Sequence, residues 1–301
     1  YLSDTALERA DGEVDQLVSI ELAILRGGTS LNIFDLTGWT GDAVLDGTGQ
    51  GDTTDRLTDR FVMTANADFT VTDLGPNDVR VTLSTGAVID LLRIERVFLT
   101  GGSGDNILDA SAVTLDAGGQ VRATFRLTGG EGDDVLRGGP GGDALYGGGG
   151  DDVMSGGRGS DMIDGGAGMD ELVEERNADS LTLRPNELLI VEGGRTEADV
   201  LIGLEVFNLT GGAGSNQFII PGLPVGEINF DGAGGMDSLL AEVGGVVTLT
   251  DAGIDFNGLG YVGMSGIEIV LLQGSDGDDV LDASGFTGQA ANRPLRDEVI
   301  I

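Results

Sequence analysis

Between Gly129 and Val173 one apolar side chain returns at every ninth residue: Leu136, Leu145, Met154, Ile163 and Leu172. Elsewhere apolar and polar positions alternate in short runs, such as FTVT from Phe69 and VVTLT from Val246 to Thr250. A period of two is that of a half-buried strand, whose alternate side chains face opposite ways. The pattern predicts short strands separated by turns, and almost no long helix. Leu22 to Arg26 could make a helical turn, but its counterparts RVFLT and IVLLQ favour strand.

The residues between the apolar positions are just as regular. Cut every nine residues from Gly129, the run has glycine at positions one, two and four of all five blocks. Position six is Asp134, Asp143, Asp152, Asp161 and Asp170, while positions three and five vary. Glycine permits turns with positive φ and exposes backbone carbonyls. The aspartate ends the turn with an anionic oxygen, and a short strand follows with position eight inward. One such unit cannot bury its apolar residue alone, but stacked copies can. Stacking also gathers carbonyls and carboxylates of neighbouring turns. Oxygen at that density suits Ca²⁺, which accepts six to eight oxygens in flexible geometry. The ion would offset the charge repulsion and supply folding energy, because site and fold form together. A disordered linker would have no reason to hold an apolar residue in register five times.

These residues resemble the RTX (hemolysin-type) calcium-binding nonapeptide repeat. The resemblance implies an all-β fold, an elongated right-handed parallel β-roll or β-helix solenoid with two nonapeptides per coil. Calcium would then lie between repeats n and n+2 on one edge, with Asp134, Asp152 and Asp170 along one edge and Asp143 and Asp161 along the other. The candidate ligand positions are these five aspartates together with Gly130, Gly132, Gly139, Gly141, Gly148, Gly150, Gly157, Gly159, Gly166 and Gly168.

A slower rhythm surrounds the run. SIELAILRGGTSLNIFD, RIERVFLTGGSGDNILD, GLEVFNLTGGAGSNQFI and GIEIVLLQGSDGDDVLD read alike, and ANADFTVTDLGPNDVRVT echoes RNADSLTLRPNELLIVEG. The nonapeptides look inserted into this longer repeat. We therefore divide the chain into a degenerate-repeat solenoid over 1–128, the nonapeptide β-roll over 129–173, and a second degenerate solenoid over 174–301. In the four longer segments, turn position six is Asn32, Asn106, Asn216 and Asp279. For the asparagines a ladder of stacked amides that needs no ion is the favoured reading; Asp279 is a candidate calcium ligand. Asp237 and Asp52 stand in similar turns. The recurring Glu21, Glu95, Glu205 and Glu268 are expected to face solvent or pair with an arginine such as Arg96 or Arg26.

Composition narrows the function. The net charge is −35, there is no lysine or histidine, and all 16 basic residues are arginine. A nucleic-acid-binding footprint needs a basic face, and anionic membranes would repel such a chain. No apolar stretch is long enough for a membrane-spanning helix. Cysteine is absent, so calcium would be the staple in place of disulfides. The chain starts at Tyr1, as a processed protein or a slice of a longer one would. Both ends fall mid-repeat, so open strand edges are expected to continue into further copies or adjoining repeats.

Three functions compete: a calcium-rigidified element of a filament, surface layer or giant adhesin; a glycan- or ice-binding module; and a chain that folds only on meeting external calcium. The resemblance implies export by type I secretion to the cell surface or beyond, which joins the first and third. Parallel β-helices also carry polysaccharide lyases and epimerases. Their base would have to come from arginine or from Tyr1, Tyr146 and Tyr261, which lie far apart, so no catalysis is expected. Trp39 could stack on a sugar or plug the solenoid. Threonines cluster in LTGG, TLT and FTVT without recurring in every coil, which weighs against a sugar- or ice-binding face.

Overall fold

The computed structural model describes residues 1–4, 6–8, 12–17, 19–28, 31–47, 59–75, 78–116, 118–222 and 226–292. Asp52 lies outside them. Every regular element among the described residues is a strand. The chain forms two compact units, Tyr1–Gly168 and Met169–Ile301.

In the first unit successive strands alternate between two parallel stacks. One stack runs Ile33–Asp35, Arg60–Thr64, Arg96–Thr100, Thr124–Glu131, Ala144–Gly149 and Met162–Ala167. The other includes Phe69–Gly75, Ile107–Ala112, Val135–Arg137 and Val153–Ser155. Two nonapeptides thus make one coil, as residues 135 and 153 pair eighteen positions apart. Leu136, Leu145, Met154 and Ile163 are fully buried between the stacks. Trp39 is buried as well, and its indole N–H donates to the Asp42 carbonyl at 3.3 Å, so it fills the core rather than offering a sugar platform.

The second unit repeats the plan. Glu171–Glu175, Val206–Thr210, Glu227–Asp231 and Tyr261–Ser265 stack in parallel, as do Ser180–Arg184, Gln217–Ile220, Ser238–Glu242 and Ile269–Gln273.

Not every strand is parallel. Phe69–Gly75, Asp78–Leu83 and Val88–Leu92 form an antiparallel meander, and so do Ser180–Arg184, Glu187–Glu192 and Arg195–Ile202. A third joins Val246–Thr250, Gly253–Asp255 and Tyr261–Ser265. The first two are the echoing segments of the longer repeat. The cause is connection length: a parallel return needs most of a coil, whereas a two-residue link can only reverse the chain. Gly193 and Gly194, at φ 57° and 77°, make one of these two-residue reversals.

Candidate metal centre

The position-six aspartates point inward. Asp134, Asp143, Asp152, Asp161 and Asp170 are each 4% exposed or less. On one edge of the first unit, the backbone N–H of Asn106 donates to Oδ1 of Asp134 at 2.7 Å, and the N–H of Asp134 donates to Oδ1 of Asp152 at 2.8 Å. On the other edge, Phe125 N–H donates to Asp143 Oδ1 at 2.7 Å and Asp143 N–H to Asp161 Oδ1 at 2.8 Å. Each carboxylate therefore ties its own turn to the coil before it, and Asp134 and Asp152 sit on the edge opposite Asp143 and Asp161. Asp170 belongs to the second unit.

Glycine is required where one turn rests on another. A Cβ on Gly148 would stand 2.0 Å from the Gly130 carbonyl oxygen, and one on Gly159 would stand 1.9 Å from that of Gly141. Both glycines also have positive φ. The same stacking sets Gly150 over Gly132, Gly157 over Gly139, Gly166 over Gly148 and Gly168 over Gly150. The turns thus bring carbonyl oxygens into columns beside the buried carboxylates.

Burial makes these carboxylates costly as anions. It pushes the Asp134 carboxyl up, against the opposing pull of the Asn106 N–H, and the charges of Asp105 and Asp133 push it further. Asp143 is pushed up to about 7 by burial, against the N–H groups of Phe125 and Gly139. Oδ2 of Asp134 is shut off from water and receives no hydrogen bond. A buried, negatively charged oxygen without a donor is a group that a cation would satisfy. Among the described residues no three carboxylates gather closely enough to hold a metal by themselves. A bound ion would need carbonyl oxygens to complete its shell, and the stacked glycine turns supply them. The residues fit Ca²⁺, whose large oxygen shell accepts such mixed ligands.

The asparagine amides bond to the backbone and side chains of their own and neighbouring turns. Asn106 accepts from Gly102 N–H at 2.7 Å, and Asn216 from Gly212 N–H at 2.9 Å while donating to the Ala178 carbonyl. Asn32 donates to the Gly47 carbonyl and to Asp59. Each asparagine neighbours an aspartate of the next coil: Asn32 with Asp59, Asn106 with Asp134, Asn216 with Asp237. Asp237 is buried, and burial raises its carboxyl above the usual range. Asp279 differs from the nonapeptide aspartates. It is half-buried, accepting from the backbone of Gly245 and Ser275, both at 2.6 Å.

The recurring glutamates have a role that the sequence reading missed. Oε2 of Glu95 accepts the Asp59 N–H at 2.8 Å, Glu205 accepts that of Asp170 at 3.0 Å, and Glu268 that of Asp237 at 2.8 Å. Where the next coil has no position-six aspartate, a glutamate with one more methylene reaches back and does the same work. The residue two before each glutamate is left-handed: Ser19, Arg93, Gly203 and Gly266, with φ between 54° and 62°. The sequence carries little of that kink, since only two of the four residues are glycine. A second, outer file of acids also escaped notice: Asp133 N–H donates to Asp105 at 3.0 Å and Asp151 N–H to Asp133 at 2.8 Å.

One degenerate turn holds a fixed cation. The Arg122 guanidinium, only 10% exposed, donates to the carbonyls of Thr114, Gly75 and Leu115 and pairs with Asp73 at 3.2 Å. Carbonyls and a carboxylate surround a positive charge here with no metal needed.

A model of the RTX calcium-binding nonapeptide repeat matches the chain at residues 97–112, 126–154, 137–172 and 271–287. No curated protein matches the chain. The matched stretches take in the turns of Asn106 and Asp279 as well as the strict run, and over them the chain is similar to the RTX calcium-binding nonapeptide repeat, detected in four copies.

Proposed function

We propose that the chain is a structural or adhesive element that works outside the cell, rigidified by calcium, as part of a filament, surface layer or large adhesin. Residues 129–173 are its ion-bearing roll, and 1–128 and 174–301 are flanks whose turns close mainly through their own side chains. The ligands are the glycine carbonyls and aspartates of the nonapeptide turns, with Asp279 at a separate site. The observation that carries this reading is the buried Asp134 carboxylate, whose Oδ2 has no donor beside a column of glycine carbonyls.

Folding and calcium are coupled on this reading. Without the ion, buried carboxylates oppose stacking; with it, they become ligands. A chain exported by type I secretion would be only marginally ordered in the calcium-poor cytosol and would close fully outside. Further repeats or another copy can stack on the first unit, where Leu22–Arg26 and Ile33–Asp35 are end strands and Leu22, Ile24 and Ile33 are exposed. A catalytic reading has less support. The Tyr261 hydroxyl is engaged with the Ala252 carbonyl, and the Tyr146 ring lies under Arg126.

Circular dichroism tests the proposal. Purified protein in chelator should gain strand signal on addition of millimolar Ca²⁺, and Mg²⁺ should substitute poorly because it demands tighter octahedral geometry. Replacing Asp143, Asp152 and Asp161 together by alanine should abolish the gain. An unchanged spectrum in chelator and in calcium overturns the proposal.

A further inference from the structure

The outward face of four successive strands in the first unit departs from the charge of the rest of the molecule. Across Arg60–Thr64, Arg96–Thr100, Thr124–Glu131 and Ala144–Gly149 the register aligns Thr64, Thr100, Thr128 and Tyr146 in one row. A second row is Val62, Phe98, Arg126 and Ala144, and a third sets Arg60 beside Arg96. These rows hold three arginines and no carboxylate, in a chain with 51 acidic and 16 basic residues. Among the described residues acids return at the borders, at Asp35, Asp59, Glu95, Glu131 and Asp164. The LTGG threonines do therefore recur in successive coils, in a file that the sequence spacing concealed.

Two features mark this face as incomplete. Arg60 and Arg96 stand directly opposite each other, an arrangement that costs stability. None of Arg60, Arg96 and Arg126 has an ion-pair partner among the described residues, and the Arg60 Nε has no acceptor. Two of the guanidinium groups instead lie over rings: Arg60 lies 4.6 Å from the Phe98 centroid, and Arg126 lies 4.8 Å from that of Tyr146 and 6.0 Å from that of Phe98. Stacking of this kind leaves the N–H edges available for a planar anion.

We propose that this face binds a polysaccharide bearing carboxylate groups, with uronate sugars laid across the strands. Guanidinium forks match carboxylates, and the threonine file meets sugar hydroxyls. The rungs lie about 4.8 Å apart, close to the length of one pyranose unit. Nucleic acid fits less well. Guanidinium groups already lie over the rings on which bases would stack. The proposal rests on the functional reading above only in that calcium orders the rungs.

The test is binding of glucuronate-bearing hyaluronan fragments to the full chain in millimolar Ca²⁺, with neutral dextran and single-stranded DNA as competitors. Saturable binding that dextran does not displace, and that salt weakens, is expected. Arg96→Gln with Arg126→Gln should weaken it at least tenfold, and Tyr146→Ala, which removes the platform under Arg126, should weaken it as well. Arg184→Gln, on an arginine paired with Glu187 elsewhere, should leave it unchanged. No binding, displacement by DNA at equal concentration, or equal binding by the double variant would each overturn the proposal. Circular dichroism of the same samples separates the two readings: loss of calcium-induced ordering with binding intact defeats the calcium role alone, and the reverse defeats this face alone.

Discussion

The backbone N–H of Asp134 donates to Oδ1 of Asp152, eighteen residues further along, at 2.8 Å. The same atom pair recurs from Asn106 to Asp134 and from Asp143 to Asp161. One oxygen of each carboxylate thus fixes the rung, while the negative charge is left for something else to neutralise. Scaffolding and charge are separable, because an amide oxygen can accept an N–H without carrying a charge, as Asn106 Oδ1 does for Gly102 within its own turn.

That separation predicts a crossover. Asp134→Asn keeps the acceptor for Asn106 and removes a buried charge. In chelator the variant should unfold later than the parent, by about 1–2 kcal/mol, since an unsatisfied buried anionic oxygen is gone. In millimolar calcium the order should reverse, because a ligand has been lost. Thermal unfolding by circular dichroism in both buffers reads the result. A variant that is weaker in both would show that the charge is not the source of the strain.

The pH response of the calcium-free chain follows from Asp143. Its carboxyl is raised from 3.8 to about 7 in the folded state, chiefly by burial. A raised value means that the fold holds the proton more tightly than the unfolded chain does. The stability from this group is complete below about pH 4 and is lost as pH rises through about 7. Urea midpoints in chelator should therefore climb as pH falls from 8 towards 5, and calcium affinity should fall over the same window because the ligand must be deprotonated. A chelator midpoint that rises with pH would contradict this.

The glutamate clamps give a test in the second unit. Glu268→Ala leaves the buried Asp237 N–H without its acceptor and should cost about 1–3 kcal/mol. Glu268→Gln keeps an oxygen in place and should cost far less. It also removes a charge that helps to raise Asp237. Equal losses in the two variants would mean that the charge of Glu268, not its hydrogen bond, matters.

The left-handed kink before each glutamate can be probed by size alone. Gly266 has φ 62°, and Gly266→Ala should cost about 1–2 kcal/mol. Ser19 bears the same strain at φ 54°, so Ser19→Gly should be neutral to slightly stabilising. Chemical denaturation curves for both variants decide the matter, and a harmless alanine at 266 would refute it.

What could be read in advance, and what could not, follows from the same chemistry. Leu136, Leu145, Met154 and Ile163 announced the coil because a stacked rung repeats its burial every nine residues. The segregation of Asp134 and Asp152 from Asp143 and Asp161 followed from two nonapeptides per coil. The meanders were missed although Gly193-Gly194 between alternating runs is a hairpin signal. The long repeat drew attention to resemblance between segments rather than to the length of their connections. Glu205 and Glu268 are exposed, as expected, and Glu95 is half-buried, but the backbone N–H that each accepts was not foreseen. Only the three-dimensional stack shows that each stands in for an absent aspartate. The arginine–aromatic face was hidden for a similar reason: Phe98, Arg126 and Tyr146 become neighbours only across rungs.

Arg122 allows the strongest comparison between a built-in cation and a diffusible one. Its loop precedes the turn of Gly138 to Asp143, and a Cβ on Gly141 would stand 2.8 Å from a Val121 methyl. The guanidinium therefore secures the rung on which that edge begins. Its donors satisfy three carbonyls and one carboxylate at a nearly buried position. Arg122→Met preserves the length of the side chain but removes every donor, and should cost about 2–3 kcal/mol, the scale for charged hydrogen bonds at a largely buried site. Calcium should not restore the loss, because the oxygens here are arranged around a planar fork rather than a sphere. If millimolar Ca²⁺ returned the unfolding midpoint of Arg122→Met to that of the parent in the same buffer, the site would be interchangeable with a metal site, and the distinction between degenerate and calcium-bearing turns would fail.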